Sequence, residues 1–201
     1  MTCLAPGGRP PEKEEPMSWT LDGPGGAAVM RAADAEAMST GQVSARLLLD
    51  SSATHDAASV VRVALAEGAD GAVPHRHDKS SELFYVLSGS VQLLAGEEVL
   101  TAGEGDLAVV PPGLPHAFAA PSGSGGELLI IITPGVERFE YFRHLGRLVA
   151  GQATLESLLA VQERYDTYFL PSEPWQTRTR SASTGPAAQP RSSGPGATRS
   201  G

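Results

Sequence analysis

The chain has 201 residues, of which 41% are hydrophobic and 19% charged; this suits a globular domain with a sizeable core and excludes a fibrous or low-complexity chain. The formal net charge is −8, and Met17 to Gln176 hold 9 basic against 20 acidic residues, an imbalance that argues against nucleic acid as a partner. Cys3 is the only cysteine, so no internal disulfide forms, and no run approaches the roughly 18 apolar residues of a membrane span; the expected location is cytoplasmic, with no membrane partner.

Residues 1–16, MTCLAPGGRPPEKEEP, read as a disordered leader without the apolar core of a signal peptide, and Met17 reads as the natural start. Cys3 lies in this leader and is read as inert. GPGGAA at 23–28 resembles a loose GxGxxA dinucleotide-binding fingerprint, but no convincing strand precedes it and no βαβ pattern surrounds it.

Residues 17–135 read as a barrel with an N-terminal arm. From about Val43 to Thr133, short β-like runs alternate with turn signals: VSARLLLD, ASVVRVALA, ELFYVLSG, VQLLAG, EEVLTAG, DLAVVPPG and ELLIIITP. Strands this short and closely spaced, without intervening helices, predict an antiparallel sandwich or barrel. AGEEV predicts a hairpin turn, and PSGSGG at 121–126 a flexible hairpin connection. His55, within SSATHDAAS, reads as a solvated loop residue.

From Gly135 the period becomes helical, and residues 136–176 read as C-terminal helices. Val136, Phe139, Phe142, Leu145 and Leu148 form one apolar stripe, ended by Gly151. Thr154 is placed to cap a second helix running through Leu155, Leu158, Leu159, Gln162, Tyr165 and Phe169, stopped by Pro171 and Pro174. Its stripe is expected to pack on the barrel or a dimer contact, with lining a pocket as the other possibility. His144 is expected at the surface or at a cap. Residues 177–201 carry four arginines, no acid and no large apolar side chain, and read as a disordered basic tail.

The chemistry concentrates in two segments. In PHRHDKSSELFYVLSG, His75 and His77 are two residues apart and share a face on a strand. Glu82 lies five residues beyond His77, so it returns to that face only if Asp78–Ser81 bend; Gly89 is expected to close the next turn. In GDLAVVPPGLPHAF, a buried strand meets a rigid Pro-Pro-Gly turn, and His116 follows. Three imidazoles and a carboxylate could then converge from two strand pairs. Such a donor set suits one divalent ion of Fe, Mn, Ni, Co, Cu or Zn and leaves positions open for chemistry.

These segments resemble the paired motifs of the cupin superfamily. The first motif runs Gly, five residues, His-X-His, three or four residues, Glu, six residues, Gly. Here HRH, four residues, Glu82, six residues and Gly89 fit it, while Ala69 stands at the leading glycine between Gly68 and Gly71. The second runs Gly, five residues, Pro-X-Gly, two residues, His, three residues, Asn. Gly105, Pro111, Gly113 and His116 fit, and Ala120 replaces the asparagine. The resemblance implies a mainly β fold, an antiparallel double-stranded β-helix or jelly-roll barrel, with the metal in its mouth. It implies His75, His77, Glu82 and His116 as ligands. A site in which Glu82 stands outside a three-histidine set, or in which all four are polar lining, stays open.

Together with TPGVERFEYF at 133–142, the pattern resembles single-domain cupins of the quercetin 2,3-dioxygenase-like type. That likeness implies a dioxygenase-like oxidoreductase acting on a small enolic or aromatic substrate, with Glu82 also accepting the substrate proton. Val63, Phe84, Val86 and Phe118 are the expected apolar lining. A polyketide cyclase or isomerase that uses no oxygen, and a non-enzymatic small-molecule-binding module, are the alternatives. Cupins are often dimers, so a homodimer is expected.

Overall fold

The computed structural model describes residues 26–178. The leader 1–16, the Met17 start, the first half of the glycine loop 23–28 and all but the first two residues of the tail 177–201 lie outside the described residues.

Two antiparallel sheets face each other and share one long strand. The strands are β1 (Glu36–Ser39), β2 (Val43–Leu49), β3 (Ser59–Leu65), β4 (Asp70–Arg76), β5 (Ser81–Ala95), β6 (Glu98–Gly103), β7 (Leu107–Val110), β8 (His116–Ala119) and β9 (Gly126–Thr133). The first sheet runs β1-β2-β3-β9-β5-β7, and β4-β8-β5-β6 form most of the second. This is the mainly β, curled antiparallel architecture that the short strands predict. Strict alternation in β3 and β9 sends Val61, Val63, Leu65, Leu128, Ile130 and Ile132 inward, where they meet Phe84, Val86, Val91 and Leu93 in one core.

ELFYVLSG and VQLLAG are expected as two strands separated by a turn at Gly89, but they form the single strand β5. Its first half pairs with β7 and β9, and its second half with β6 and β8. Gly89 is the point of passage between sheets. Its φ is +69°, and a Cβ there would run into the backbone of Gly125. Only glycine combines that φ with that approach.

The AGEEV hairpin is present: β5 ends at Ala95, Gly96 turns with φ +68°, and β6 starts at Glu98. PSGSGG is not a hairpin connection. β8 and β9 lie in opposite sheets, and the segment carries the chain between them.

Helix α1 (Phe139–Val149) follows, and Gly151, at φ +69°, ends it as expected. Thr154 caps α2 (Leu155–Leu159) by accepting the Ser157 N–H at 3.2 Å. The helix expected to run to Phe169 stops there. Residues Tyr168–Phe169 instead form β10, which pairs with the outer edge of β4 and places Phe169 opposite His75. An open sheet edge supplies ladder bonds that outweigh a marginal helical stripe. Pro174 does not stop a helix; it stands in the first turn of α3 (Glu173–Thr177), where its missing N–H is harmless. Trp175 of α3 covers Leu94, Ala117 and Ala119 on the back of the second sheet, and Arg178 stacks on it at 3.7 Å.

The candidate metal centre

The four sequence-singled residues meet between the sheets. His75, next to last in β4, pairs across to His116 at the start of β8, so both rings enter from the second sheet. Glu82, on β5, enters from the first sheet. All four are buried, each no more than 3% exposed. One donor atom from each lies within 4.8 Å of all the others, a cluster that could hold a metal ion.

Local sequence explains each position. Pro111-Pro112-Gly113-Leu114 forms a turn in which the Leu114 N–H donates to the Pro111 carbonyl at 3.3 Å and Gly113 takes φ +81°. The Gly113 N–H donates at 2.6 Å to the carbonyl of His77, so the second motif is clipped to the first. The expected bend at Asp78–Ser81 is held from outside. The Asp166 carboxylate accepts the N–H groups of Asp78, Lys79 and Ser80 at 2.9, 3.0 and 3.2 Å. That bend returns Glu82 to the face of the histidines.

All three imidazoles are oriented alike. Nδ1–H of His75 donates to the Val73 carbonyl at 2.8 Å, and Nδ1–H of His116 to the Leu114 carbonyl at 2.9 Å. Nδ1–H of His77 donates to the carbonyl of Asp166. Each ring therefore turns Nε2 inward, the arrangement that an Nδ1–H bond to a carbonyl gives to metal-ligating histidines.

Glu82 Oε2 lies 2.7 Å from Nε2 of His116, 3.1 Å from that of His77 and 3.9 Å from that of His75. A neutral ring with its proton on Nδ1 has only a lone pair at Nε2. Lone pairs and a carboxylate oxygen at these separations repel unless a cation, or a second proton on each ring, lies between them. Burial first, and then the neighbouring His116, hold His75 well below its ordinary 6.5, which opposes the second proton there. Burial alone would raise the Glu82 carboxyl; hydrogen bonds donated from Nε2 of His116 and His77, which need the second ring proton that a cation would replace, outweigh that and hold it well below 4.5, ionised. Separations near 3 Å also match neighbouring ligands on an ion with bonds of about 2.1 Å. The donor set therefore fits a divalent transition metal.

Above the cluster lies a cavity of about 290 Å³ whose lining includes His75 and Glu82. Val61, Val63, Phe118, Ile130 and Ile132 form its walls; Tyr141, Phe142 and Leu145 of α1 and Phe169 of β10 close it. Val63 and Phe118 are thus lining residues, as expected. Phe84 and Val86 are not among them; both are buried in the core, with the Phe84 ring 6.1 Å from that of His116. Phe142, Leu145 and Leu148 of the α1 stripe line the pocket; of the second stripe, expected chiefly as packing, only Phe169 does so, from β10.

His144 is neither at the surface nor at a cap. It is buried and its Nε2 pairs with Ser157 Oγ at 2.9 Å, tying α1 to α2, because it falls one turn from Tyr141 on the inner face. His55 is exposed, as expected. Sequence reasoning missed Asp166 and Arg138. The signal for Asp166 was a lone acid between aromatics in RYDTYF, at a residue with φ +46°, a conformation that Asp tolerates better than most.

Residues 61–132 match the family model described as Cupin domain. That match contains all four clustered residues and ends before Arg138, Tyr141 and Asp166. No curated protein matches the chain. Among solved structures, an RmlC-like cupin from Shewanella frigidimarina is 22% identical, over 57% of this chain and 96% of its own, with a TM-score of 0.48. One described as a predicted oxalate decarboxylase, from Thermotoga maritima, is 24% identical over 52% of this chain and 97% of its own, with a TM-score of 0.47. KdgF from a Halomonas species is 18% identical over 53% and 94%, with a TM-score of 0.46.

Proposed function

We propose that the protein is a metal-dependent cupin enzyme, dioxygenase-like in its chemistry, that acts on a small enolic or aromatic molecule. One observation carries this reading: three Nδ1-anchored imidazoles and an ionised carboxylate converge at the floor of a largely apolar cavity. His75, His77, Glu82 and His116 would hold one ion of Fe, Mn, Ni, Co, Cu or Zn. When bound, such an ion lowers the pKa of an enol or hydroxyl oxygen and, if redox-active, supports reaction with dioxygen.

The chain's own residues do the rest. Anchored Nδ1–H bonds keep the three rings aimed, each with Nε2 turned inward. Glu82 Oε2 is ionised and stands at the cavity floor, where it can take a proton from the substrate. Ile130, Ile132 and Phe142 exclude water and strengthen every polar contact inside.

A second reading is a cyclase- or isomerase-type enzyme that uses no oxygen. The Tyr141 hydroxyl favours it: this buried phenol lines the same cavity as Glu82, its pKa is raised by burial, and the two could form an acid and base pair. The same proposal takes the protein to be a cytoplasmic homodimer. Leu107 and Val109, exposed on the edge strand β7, support a paired edge. No helix of the described residues is long and apolar enough to cross a membrane.

The test is metal content by mass spectrometry, followed by oxygen uptake with flavonols and simple enols. One redox-active ion per chain with substrate-dependent uptake supports the first reading. Stoichiometric metal with turnover but no uptake supports the second. Metal without turnover reduces the protein to a binding module, and no metal uptake at all overturns the proposal.

A further inference from the structure

Arg138 is a buried cation whose side chain makes no ion pair among the described residues. It is 4% exposed and lines the cavity that His75 and Glu82 also line. Nη1 donates to the Thr167 hydroxyl at 2.8 Å and to the Tyr165 carbonyl at 3.3 Å, both neutral acceptors. Nε is buried and unpaired. Nη2 makes no hydrogen bond among the described residues. The nearest acidic contact is made by its backbone: the Arg138 N–H donates to Asp50 Oδ1 at 2.8 Å. Glu82 shares the cavity but makes no ion pair with the guanidinium; its oxygen faces the histidines. The face of the guanidinium stacks on Tyr141 at 4.5 Å, which fixes its plane.

An arginine keeps its charge in any protein environment, so it cannot escape burial by losing a proton. A buried charge with no counter-charge is strongly unfavourable, and two neutral acceptors satisfy only one edge of the fork. A purely structural clasp between α1 and the Tyr165–Thr167 segment needs hydrogen-bond donors and not a permanent charge. A charge placed on the wall of a ligand cavity, with a nitrogen left unpaired, needs an anion from outside the protein.

We infer that the cavity binds a small carboxylic acid, whose carboxylate accepts hydrogen bonds from Arg138 while the rest of the molecule extends over the His75–Glu82 floor. This deepens the metal-enzyme proposal by assigning an acid group to the substrate, and it rests on that proposal only for what lies at the floor. The walls between the two ends are apolar, so the body of the acid is hydrocarbon or aromatic. Charge-assisted bonds to arginine outweigh neutral ones by about tenfold or more in binding.

Calorimetry on the zinc-loaded protein and on chelator-treated protein tests this with two matched pairs: benzoate against benzamide, and salicylate against salicylamide. At least one acid should bind about tenfold tighter than its amide, with and without metal, because Arg138 is not a ligand of the cluster. Arg138→Gln should abolish the preference while metal content stays the same, and Arg138→Lys should keep part of it. Persistence without metal separates this inference from the metal assignment: loss of metal binding would sink the latter alone. Two results overturn it: no acid preferred over its amide in the native protein, or a preference that survives in Arg138→Gln, which assigns the carboxylate to the metal. If Arg138→Gln fails to fold, the chelator-treated native protein and Arg138→Lys decide the question.

Discussion

Asp166→Asn should loosen the metal cluster without touching a ligand. The native carboxylate accepts three backbone N–H groups, Oδ1 from Asp78 and Oδ2 from Lys79 and Ser80. An amide has one acceptor oxygen, and its NH₂ cannot serve an N–H. At least one of the three donors is therefore left unpaired, and the bonds that survive lose their charge assistance. With about 1–3 kcal/mol for each buried donor left unpaired, the substitution should destabilise the fold by about 2–4 kcal/mol. Asparagine tolerates the left-handed φ of +46° at this position, so backbone strain stays constant. The freed bend sits between His77 and Glu82, so the ligand set is disturbed as well. A perturbed outer-shell partner weakens metal binding by about 10–100-fold. Competition against a fluorescent zinc chelator measures the affinity, and thermal melting of metal-free protein measures the fold. Glu163→Gln, an exposed neighbour, is the control and should change neither. If Asp166→Asn keeps native zinc affinity and melting temperature, the carboxylate is not what holds the bend, and the reasoning fails.

Other outcomes follow from the same geometry. His77→Ala and His116→Ala should each lose most bound metal by mass spectrometry while Cys3→Ser keeps it; full retention in both histidine variants would remove the site assignment. Metal-free protein should lose stability as pH falls below 6.5, because the unfolded chain protonates His75 there while the native state resists it. Glu82 adds a loss of the same sign as pH falls below 4.5, and a melting temperature that stays flat from about pH 8 to about 4 would contradict both. Gly89→Ala should destabilise by more than about 2 kcal/mol in chemical denaturation, since alanine disfavours φ +69° and its Cβ meets the Gly125 backbone; a smaller loss would mean that the sheet crossing can move.

Much of the centre was legible because its signals are local. The i, i+2 pair His75/His77, the Pro-Pro-Gly turn and the spacing to Glu82 each sit within one short segment, and the strand period ties them to a face. Alternation made β3 and β9 plain for the same reason. β4 and β8 were not among the strand candidates. β4 carries Gly71 and Pro74 and slips register twice against β8, so its pattern is broken, and β8 is buried on both faces over only four residues. Glycine marks both turns and crossings, and only the pairing partners of β5 separate the two at Gly89. β10 was hidden because a two-residue strand is chosen by the edge it meets and not by its own sequence.

What escaped detection shares a physical cause. Asp166 and Arg138 act across 27 to 89 positions, His144 packs a helix against its neighbour, and nothing within their own segments marks them. Asp166 reaches back 86 to 88 residues to shape the bend before Glu82. Arg138 reaches 29 residues forward to Thr167. Yet these residues divide the work in an intelligible way. The four clustered side chains fall within 61–132, the segment that matches the cupin model. The groups that set the His77 tautomer, close the chamber and supply its unpaired cation come from 133–178. A barrel that presents one donor set can serve many reactions. The selection among substrates then falls to the segment that roofs it, which is why the charge of Arg138 says more about the substrate than the histidines beneath it do.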